Sequence, residues 1–424
     1  MHFAKSFENS HNAPSLRWNL NQTWLTWLVA LSALMFIQLS QTAAVVVFMV
    51  AVAICALARP QDAWKAILES RFVWPFLLYA AFSIIWSHAS ELTARGVVEL
   101  AFTVGAATLV AQTISPKAFV SVIVACCLVA TVASIIYLGP ELIAEWDSGF
   151  PVQGIFLGSK NSFGAAEALF ILAGFYFALD RTRPYAMRIL MIPCIFLAVA
   201  LLISSRSATA ALTVVPALLC SAAMYLLVNF SPRFRPIMLF SVCAISVLFT
   251  AMIIPVVEST LPLFLDATGK DVTLTGRTLL WRWADRIIAD NPILGFGYEA
   301  FWVPGNSFAE SIWLEQGMAW RSGLHFHNQW YEVAVELGLI GLVLAVIVFM
   351  IVFVSVFRWA LRRPSPESCF FLGFLIFTTI RTYVEVDLFW QNSLAFMIFI
   401  ASYCYAKREK RERAALSSTA VEFA

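Results

Sequence analysis

Long apolar runs alternate with short polar stretches along most of the chain. A helix that crosses a membrane needs roughly 17–25 mainly apolar residues, and windows of that size contain about twelve such runs. They lie at residues 24–40, 42–58, 72–87, 97–113, 118–138, 162–179, 189–205, 208–228, 237–257, 330–357, 369–386 and 389–405. The pattern therefore predicts an all-α integral membrane protein with about twelve transmembrane helices.

The polar stretches between these runs divide the chain into five parts. We expect a cytoplasmic N-terminal segment at 1–23, transmembrane helices one to nine at 24–257, a large hydrophilic loop at 258–329, helices ten to twelve at 330–405 and a basic cytoplasmic tail at 406–424. The polar segment before the first apolar run is too long for the n-region of a signal peptide, so we expect that run to be retained as a helix. Cleavage would remove one helix and leave the rest of the topology unchanged.

Lysine and arginine set the orientation, because cytoplasmic loops of membrane proteins carry an excess of both. With the N-terminus inside, 19 of the 28 basic residues fall on the cytoplasmic side, and the large loop falls on the opposite face. The nine exceptions are Arg95, Lys160, Arg206, Lys270, Arg277, Arg282, Arg286, Arg321 and Arg381. Charged residues that break this trend at a membrane edge are candidates for function.

Composition narrows the class of protein. The chain is 61% hydrophobic and 13% charged, with a mean hydropathy of +0.80, which is far more apolar than a soluble domain. A net charge of +2 gives no basic field, so we expect no nucleic-acid partner. All eight cysteines lie in or beside apolar runs and outside the large loop, so we expect neither structural disulfides nor a thiolate metal site.

The large loop carries one clear helical pattern. Thr275-Gly276-Arg277 predicts the start of a helix that ends at Asp290, ahead of Asn291-Pro292. Apolar and charged residues fall on opposite sides of it, with Leu280, Trp283, Ile287 and Ile288 against Arg282, Asp285 and Arg286. We expect a short amphipathic helix that lies on the membrane surface.

His327 is the strongest candidate for chemistry. It directly precedes Asn328, where an apolar helix begins. The partial positive charge of a helix N-terminus disfavours imidazolium, so His327 should stay neutral and able to accept a proton, and the same helix end would attract a phosphate. The alternative is a histidine that only caps the helix. His325 is a weaker candidate of the same kind.

Other charged residues are candidates for binding an anion or pairing with one another. Arg206 lies in a very short turn between two apolar runs, where the alternative is an arginine that snorkels to lipid phosphate. Arg277 begins the loop helix, where the alternative is a solvated surface residue. Lys160-Asn161 precedes the sixth run, and Glu167 within that run needs a partner. Arg95/Glu99 and Arg381/Glu385 have the i,i+4 spacing of a helical ion pair, and for the second pair a structural and a functional role both stay open.

Motifs for metals and cofactors are missing from the sequence. The outer loops contain no Asp-x-Asp and no histidine pair at i,i+4, with Glu385-x-Asp387 as the nearest approach. No P-loop, dinucleotide fingerprint or Gly-x-Ser-x-Gly occurs in a strand–helix context. We therefore expect no metal and no cofactor.

Several motifs resemble the bacterial O-antigen ligase and polymerase superfamily. His327-Asn328, nine residues and then Gly338-Leu339-Ile340-Gly341 is similar to that family's H-N-x₉-G-x-x-G signature, and we interpret the two glycines as close-packing positions within a helix. Residues 205–208 resemble the family's intramembrane arginine motif. Thr275-Gly276-Arg277 with residues 291–297 resembles the start of its large periplasmic loop. Residues 160–164 resemble a segment of its exopolysaccharide-polymerase branch.

The resemblance implies a fold, an activity and a set of roles. Members of the family are GT-C-type, inverting, metal-independent glycosyltransferases of the bacterial inner membrane. They transfer a glycan from undecaprenyl pyrophosphate to an acceptor sugar at the periplasmic face. We accordingly expect Arg206 and Arg277 to bind the pyrophosphate and His327 to act as the base for the acceptor hydroxyl, since arginine matches phosphate geometry. The expected substrate-binding residues are Lys160, Asn161, Asn328, Arg381 and Glu385. The expected partners are the lipid-linked oligosaccharide, the glycan acceptor, the lipid bilayer and, for a polymerase, a chain-length regulator.

Residues 160–164 and 205–208 favour a polymerase over a ligase, which would transfer glycan to lipid A–core. A transporter of lipid-linked sugars is an alternative from a different class, because twelve helices with both ends inside is also a transporter layout. Transporters gather polar residues near the bilayer midplane, whereas here they collect at the outer face and in the late loop. A structural assembly subunit is the remaining alternative.

Overall fold

The computed structural model describes residues 20–138, 152–156, 159–226, 231, 233–234, 237, 277–318, 321 and 324–422. All regular secondary structure in these ranges is helical. The helices are α1 (Leu20–Met35), α2 (Gln41–Ala58), α3 (Pro60–Glu69), α4 (Trp74–Phe82), α5 (Ser90–Thr113), α6 (Pro116–Leu138), α7 (Lys160–Leu179), α8 (Tyr185–Ser204), α9 (Ala208–Leu226), α10 (Arg277–Asp290), α11 (Ser307–Glu315), α12 (Gln329–Arg362), α13 (Pro366–Arg381) and α14 (Leu394–Glu422). Short 3₁₀ turns cover Phe36–Gln38, Ser70–Phe72 and Ser83–Ile85.

Seven of the described helices are long and apolar enough to cross a membrane, namely α2, α5, α6, α7, α8, α9 and α12. An eighth span results if Pro60–Phe72 and Trp74–Ile85, which bend by 80° between them, count as one. The chain is therefore a multi-pass membrane protein. The predicted ninth span at 237–257 lies outside the described residues except for Ile237, so the count of twelve stays a prediction.

Two segments outside the predicted spans are helical. The segment between the second and third predicted spans forms α3, which starts with Pro60 in its first turn and packs against α5. It is short and charged, so hydropathy alone does not reveal it. The predicted basic tail is helical as far as Glu422, because α14 continues through it from the apolar run.

The main core lies between the spans, and the helices differ in how deeply they enter it. The apolar window of α7 is 72% buried, whereas that of α8 is 22% buried. Leu190 and Phe196 on α8 are exposed apolar side chains, as expected for a face turned to lipid. Helix α7 is thus a central element, and its N-terminus carries Lys160 and Asn161.

The described part of the large loop has a small core of its own. Helix α10 has the predicted bounds from Arg277 to Asp290, while Thr275 and Gly276 lie outside the described residues. We predicted that its apolar face lies on a membrane surface, but that face packs inward. Leu280 and Ile287 join Ile312, Trp313 and Phe326 in a buried cluster. The aromatic residues that follow α10 cover the face that the helix would otherwise expose.

Helix α12 is broken at Gly338, which corrects the interpretation of that glycine as a helical packing position. Gly338 has φ 62° and ψ −170°, a conformation that side chains disfavour. A Cβ there would lie 2.1 Å from the carbonyl oxygen of Ile293. The segment at 292–297 hydrogen-bonds to the break, with Leu339 N–H donating to Pro292 O at 2.8 Å and Gly297 N–H to Glu336 O at 2.8 Å. The loop is thereby fastened to the first part of α12.

Candidate functional site

Glu385 is the centre of the site. Its Oε1 accepts hydrogen bonds from Arg277 Nη2 at 2.6 Å and from Asn161 Nδ2 at 2.9 Å. Its Oε2 lies 3.1 Å from Nδ1 of His327 and 3.7 Å from Nε2 of His325. One buried carboxylate therefore joins residues from α7, α10, the segment before α12 and the segment after α13.

The contact with Glu385 fixes the chemical form of His327. An ionised carboxylate can only accept a hydrogen bond, so Nδ1 of His327 carries the proton and Nε2 is the acceptor of the ring. Burial lowers the pKa of His327 below its ordinary value of 6.5, and the charges of His325 and Arg277 lower it further, against the opposing effect of Glu385. His327 is consequently neutral near pH 7 and able to take a proton at Nε2.

Glu385 is held in its charged form. Burial raises the pKa of this carboxyl, but the nearby rings of His325 and His327 and the charge of Arg381 lower it more, so that the pKa lies far below the usual range. A carboxylate that orients a neutral imidazole through Nδ1 is the arrangement that other enzymes use to direct a histidine base.

Asn328 is the residue that caps α12, which removes the alternative that His327 is only a cap. The side-chain oxygen of Asn328 accepts from the N–H groups of Trp330 at 3.0 Å and Tyr331 at 3.2 Å, and its amide donates to Tyr383 O at 3.2 Å. His327, one residue earlier, has φ 50°. Asn328 thus holds the left-handed turn that presents His327, and its predicted substrate contact stays a prediction.

The pairing of Arg381 with Glu385 that their spacing allows does not form. Arg381 binds Asp387 instead, with Nη2 at 2.9 Å from Oδ1 and Nε in contact with Oδ2. The backbone turn continues past α13, with Glu385 N–H donating to Arg381 O at 2.7 Å, but the Glu385 carboxylate is already bound by Arg277 and Asn161. Arg381 is buried, and its Nη1 has no hydrogen-bond partner among the described residues.

Arg206 and Lys160 are sequence neighbours of residues in the Glu385 network, which consists of Glu385 and the side chains that contact it. Lys160 precedes Asn161, and Arg206 precedes Ser207. Ser207 Oγ lies 3.2 Å from Asn161 Oδ1, which connects the turn at Arg206 to the residue that binds Glu385. Arg206 has φ 50° and an exposed side chain. The turn packs closely on the start of α7, because a Cβ on Gly164 would lie 2.6 Å from that of Ser207. The two segments that resemble the family's motifs are therefore neighbours in space.

The remaining charged residues have the partners or exposure that the sequence indicates. Arg95 and Glu99 form the predicted pair at 2.7 Å. Glu167 accepts a hydrogen bond from Thr131 at 2.9 Å. Arg282 and Arg286 lie on the exposed face of α10. In the described part of the chain the cysteines form no disulfide.

His325, His327 and Glu385 also bring three potential metal ligands together. Their ligand atoms all lie within 4.8 Å of one another. The sequence pattern did not indicate this group, because the histidines are spaced i,i+2 and Glu385 is distant in the chain. The Arg277 guanidinium at 2.6 Å from the same carboxylate already supplies a positive charge, which opposes a second cation. Metal independence stays a prediction.

The sequence analysis missed a group of acidic residues near the Glu385 network. Glu332 accepts from Trp302 Nε1 at 2.9 Å and from Phe326 N–H at 2.7 Å, next to the two histidines. Glu336 is buried one turn later, and Glu299 comes two residues after the segment at 292–297 that is fastened to the break. The available signal was the spacing of two glutamates at i,i+4 in an otherwise apolar helix, where charge is costly and marks function.

Comparison with known proteins identifies the family of the chain. The profile of the O-antigen ligase family matches residues 193–346, a range that contains Arg206, Arg277, His327 and the break at Gly338. The exopolysaccharide production protein ExoQ of Rhizobium meliloti (strain 1021) is 30% identical over 324 residues, which cover 75% of this chain and 72% of that protein. The chain belongs to the bacterial O-antigen ligase and polymerase superfamily and is a membrane protein of polysaccharide biosynthesis.

Proposed function

We propose that the protein is a polysaccharide polymerase of the bacterial inner membrane. It transfers a glycan from undecaprenyl pyrophosphate to a sugar hydroxyl at the periplasmic face, by an inverting reaction that needs no metal. The observation that carries the proposal is the Glu385 network, in which a neutral histidine and a buried arginine share one carboxylate beside the Lys160-Asn161 and Arg206 segments.

The reaction is a single displacement at the anomeric carbon of the donor. The acceptor hydroxyl oxygen forms the new bond to that carbon while the bond to the pyrophosphate oxygen breaks, and the bonding electron pair leaves with undecaprenyl pyrophosphate. The hydroxyl proton goes to Nε2 of His327, the ring nitrogen that Glu385 does not occupy. Attack from the face opposite the leaving group inverts the anomeric configuration.

The basic residues stabilise the leaving group. A pyrophosphate is already a good leaving group, so cations that neutralise its growing charge suffice without a general acid. Arg206 is exposed at the turn beside Asn161, and Lys160 begins α7 next to it. Arg277 is buried against Glu385 and adds positive charge close to His327. These three residues would bind the pyrophosphate, with Arg381 as a secondary positioning group.

A polymerase is favoured over a ligase by the similarity to ExoQ, whose name assigns it to exopolysaccharide production. The ligase alternative stands because the family that matches residues 193–346 is described as O-antigen ligase. The two reactions share the donor and the site chemistry, and they differ in the acceptor.

Product analysis separates these functions. Purified full-length protein in lipid is given a donor with an undecaprenyl-pyrophosphate-linked repeat unit, without metal, and either more donor or lipid A–core as acceptor. A polymerase releases undecaprenyl pyrophosphate and yields a ladder of lengthening glycans from the donor alone. Release only with lipid A–core would identify a ligase. Movement of intact donor across the bilayer without release would reject transfer in favour of transport.

A further inference from the structure

A cavity of about 340 Å³ adjoins His325. Its wall combines three carboxylates, an amide and two indole rings from Glu99, Glu299, Glu336, Gln391, Trp302 and Trp390. His325 also lines it. None of the residues expected at the pyrophosphate lines this cavity, so its chemistry calls for a different ligand.

The lining matches a sugar rather than a phosphate. Carboxylate and amide oxygens accept hydrogen bonds from hydroxyl groups, and flat aromatic faces pack against the C–H face of a pyranose ring. Arg95, the cation in the wall, is paired with Glu99 at 2.7 Å. The described wall offers a pyrophosphate no arginine or lysine that is not already paired.

The walls are held in place by hydrogen bonds. Trp302 is fixed by Glu332, and Gln391 Oε1 accepts from Tyr298 O–H at 2.9 Å. Glu99 also accepts from Asn392 Nδ2 at 2.6 Å. The cavity is therefore a built feature of α5, α12 and the two adjoining loop segments.

Glu299 has unused hydrogen-bonding capacity at this wall. Its backbone has φ 60°, which a residue other than glycine adopts only when its surroundings hold it there. Its Oε1 is buried and has no hydrogen-bond partner within the described ranges. Burial raises the pKa of Glu299 to about 7, so near neutral pH the carboxyl can donate to or accept from a hydroxyl. A buried acceptor without a partner is costly unless a ligand satisfies it.

The cavity and the base are linked through the two histidines. His325 belongs to the cavity wall, its ring centroid lies 4.1 Å from that of His327, and its Nε2 lies 3.7 Å from Glu385 Oε2. A sugar in the cavity would therefore contact His325, whose ring is next to that of His327, the residue assigned as the base.

We propose that this cavity binds the terminal sugar of the acceptor glycan, with Trp302 and Trp390 against its ring and Glu299, Glu336 and Gln391 on its hydroxyl groups. The inference rests on the proposed glycosyl transfer for its place in the reaction, but the binding site itself can be tested without turnover.

Binding is measured by calorimetric titration of the full-length protein in lipid nanodiscs. The probe is the repeat-unit oligosaccharide that mild acid releases from the lipid-linked donor, so it carries no phosphate. Trp390→Leu and Glu299→Gln should each weaken binding by about tenfold, since each removes a contact in a desolvated site. Trp390→Phe keeps a flat ring and should lose less. Trp64→Leu and Glu91→Gln, at exposed positions on α3 and α5, are matched controls that should leave the affinity unchanged.

The possible outcomes distinguish failure of the acceptor site from failure of the proposed glycosyl transfer. Equal affinity in wild type and both cavity variants, or no binding by the folded wild type, overturns the acceptor site. Binding with the expected pattern but no donor turnover would keep the site and reject glycosyl transfer. Turnover whose KM for the same oligosaccharide is unchanged in both variants would reject the site and keep the transfer. The expected result is a raised KM for this acceptor with kcat largely retained.

Discussion

Two groups of residues at the histidine pair differ in chemistry. In the first, Arg277 binds Glu385, Lys160 precedes Asn161, and Arg206 precedes Ser207, which contacts Asn161. In the second, Glu299 and Glu336 line a cavity with indole rings. Under the proposed function, the first group binds the phosphate of the donor, and the cavity binds the hydroxyl groups of the acceptor. His325 belongs to both groups, since it contacts Glu385 and lines the cavity.

Loss of the base should have the largest effect. We expect His327→Ala to lower turnover by about 10²–10⁴-fold, the usual contribution of a general base, while the protein stays folded. The measurement is the initial rate of undecaprenyl pyrophosphate release. His88→Ala is the matched control, because His88 packs on Phe296 outside the network. Equal rates for the two variants would remove His327 from the mechanism.

Glu385→Gln should reduce both activity and stability. The amide keeps the shape, but it no longer fixes the tautomer of His327 and it leaves Arg277 without its buried counter-charge. We expect turnover to fall on the order of 10²-fold or more and the free energy of unfolding to fall by about 3 kcal/mol. Rates and thermal unfolding in lipid test both, and a stable, fully active variant would contradict the central role of Glu385.

Gly338→Ala tests whether the break in α12 is needed for the packing of the segment at 292–297. A Cβ at φ 62° costs about 1–2 kcal/mol from the backbone alone, and here it would also lie 2.1 Å from Ile293 O. We expect a clear drop in thermal stability and in activity. Gly105→Ala in α5, where a Cβ meets nothing within 4 Å, is the control. Similar melting temperatures for both variants would show that the break is tolerant.

The pH profile should show the lowered pKa of His327. A base must be deprotonated, so the rate rises with pH through its pKa, and burial places that pKa below 6.5. The acid limb of kcat should therefore lie below pH 6.5, and it should disappear in His327→Ala. An acid limb above pH 6.5 would mean that a different group, or a charged His327, limits the reaction.

Removal of metal ions should have the smallest effect. With Arg277 already beside Glu385, we expect EDTA treatment to leave the rate unchanged. Loss of activity that Zn²⁺ or Mn²⁺ restores would instead assign a bound ion to His325, His327 and Glu385.

Local patterns in the sequence predicted much of the fold, and they failed where the site depends on distant contacts. Apolar runs predicted the spans around α2, α5, α6, α7, α8, α9 and α12, and the capping pattern predicted α10, because both signals are confined to consecutive residues. His327 was placed correctly beside a helix N-terminus. The role of Glu385 was not visible, because its partner Asn161 is 224 residues away.

Two further misses have specific physical causes. The i,i+4 spacing suggested Arg381 with Glu385, but Arg277 and Asn161 bind Glu385, and Asp387 binds Arg381. Gly338 was interpreted as a packing position, but the carbonyl group of Ile293 occupies the space of its side chain. In both cases tertiary contacts decide a conformation that the neighbouring sequence leaves open.

The most direct test is the stereochemistry and stoichiometry of one round of transfer by the purified wild-type protein. Nuclear magnetic resonance of the product gives the configuration of the new glycosidic bond, and lipid analysis gives the undecaprenyl pyrophosphate released. The account predicts one lipid pyrophosphate for each bond formed and an anomeric configuration opposite to that of the donor. Retained configuration, or bonds formed without release of lipid pyrophosphate, would contradict it.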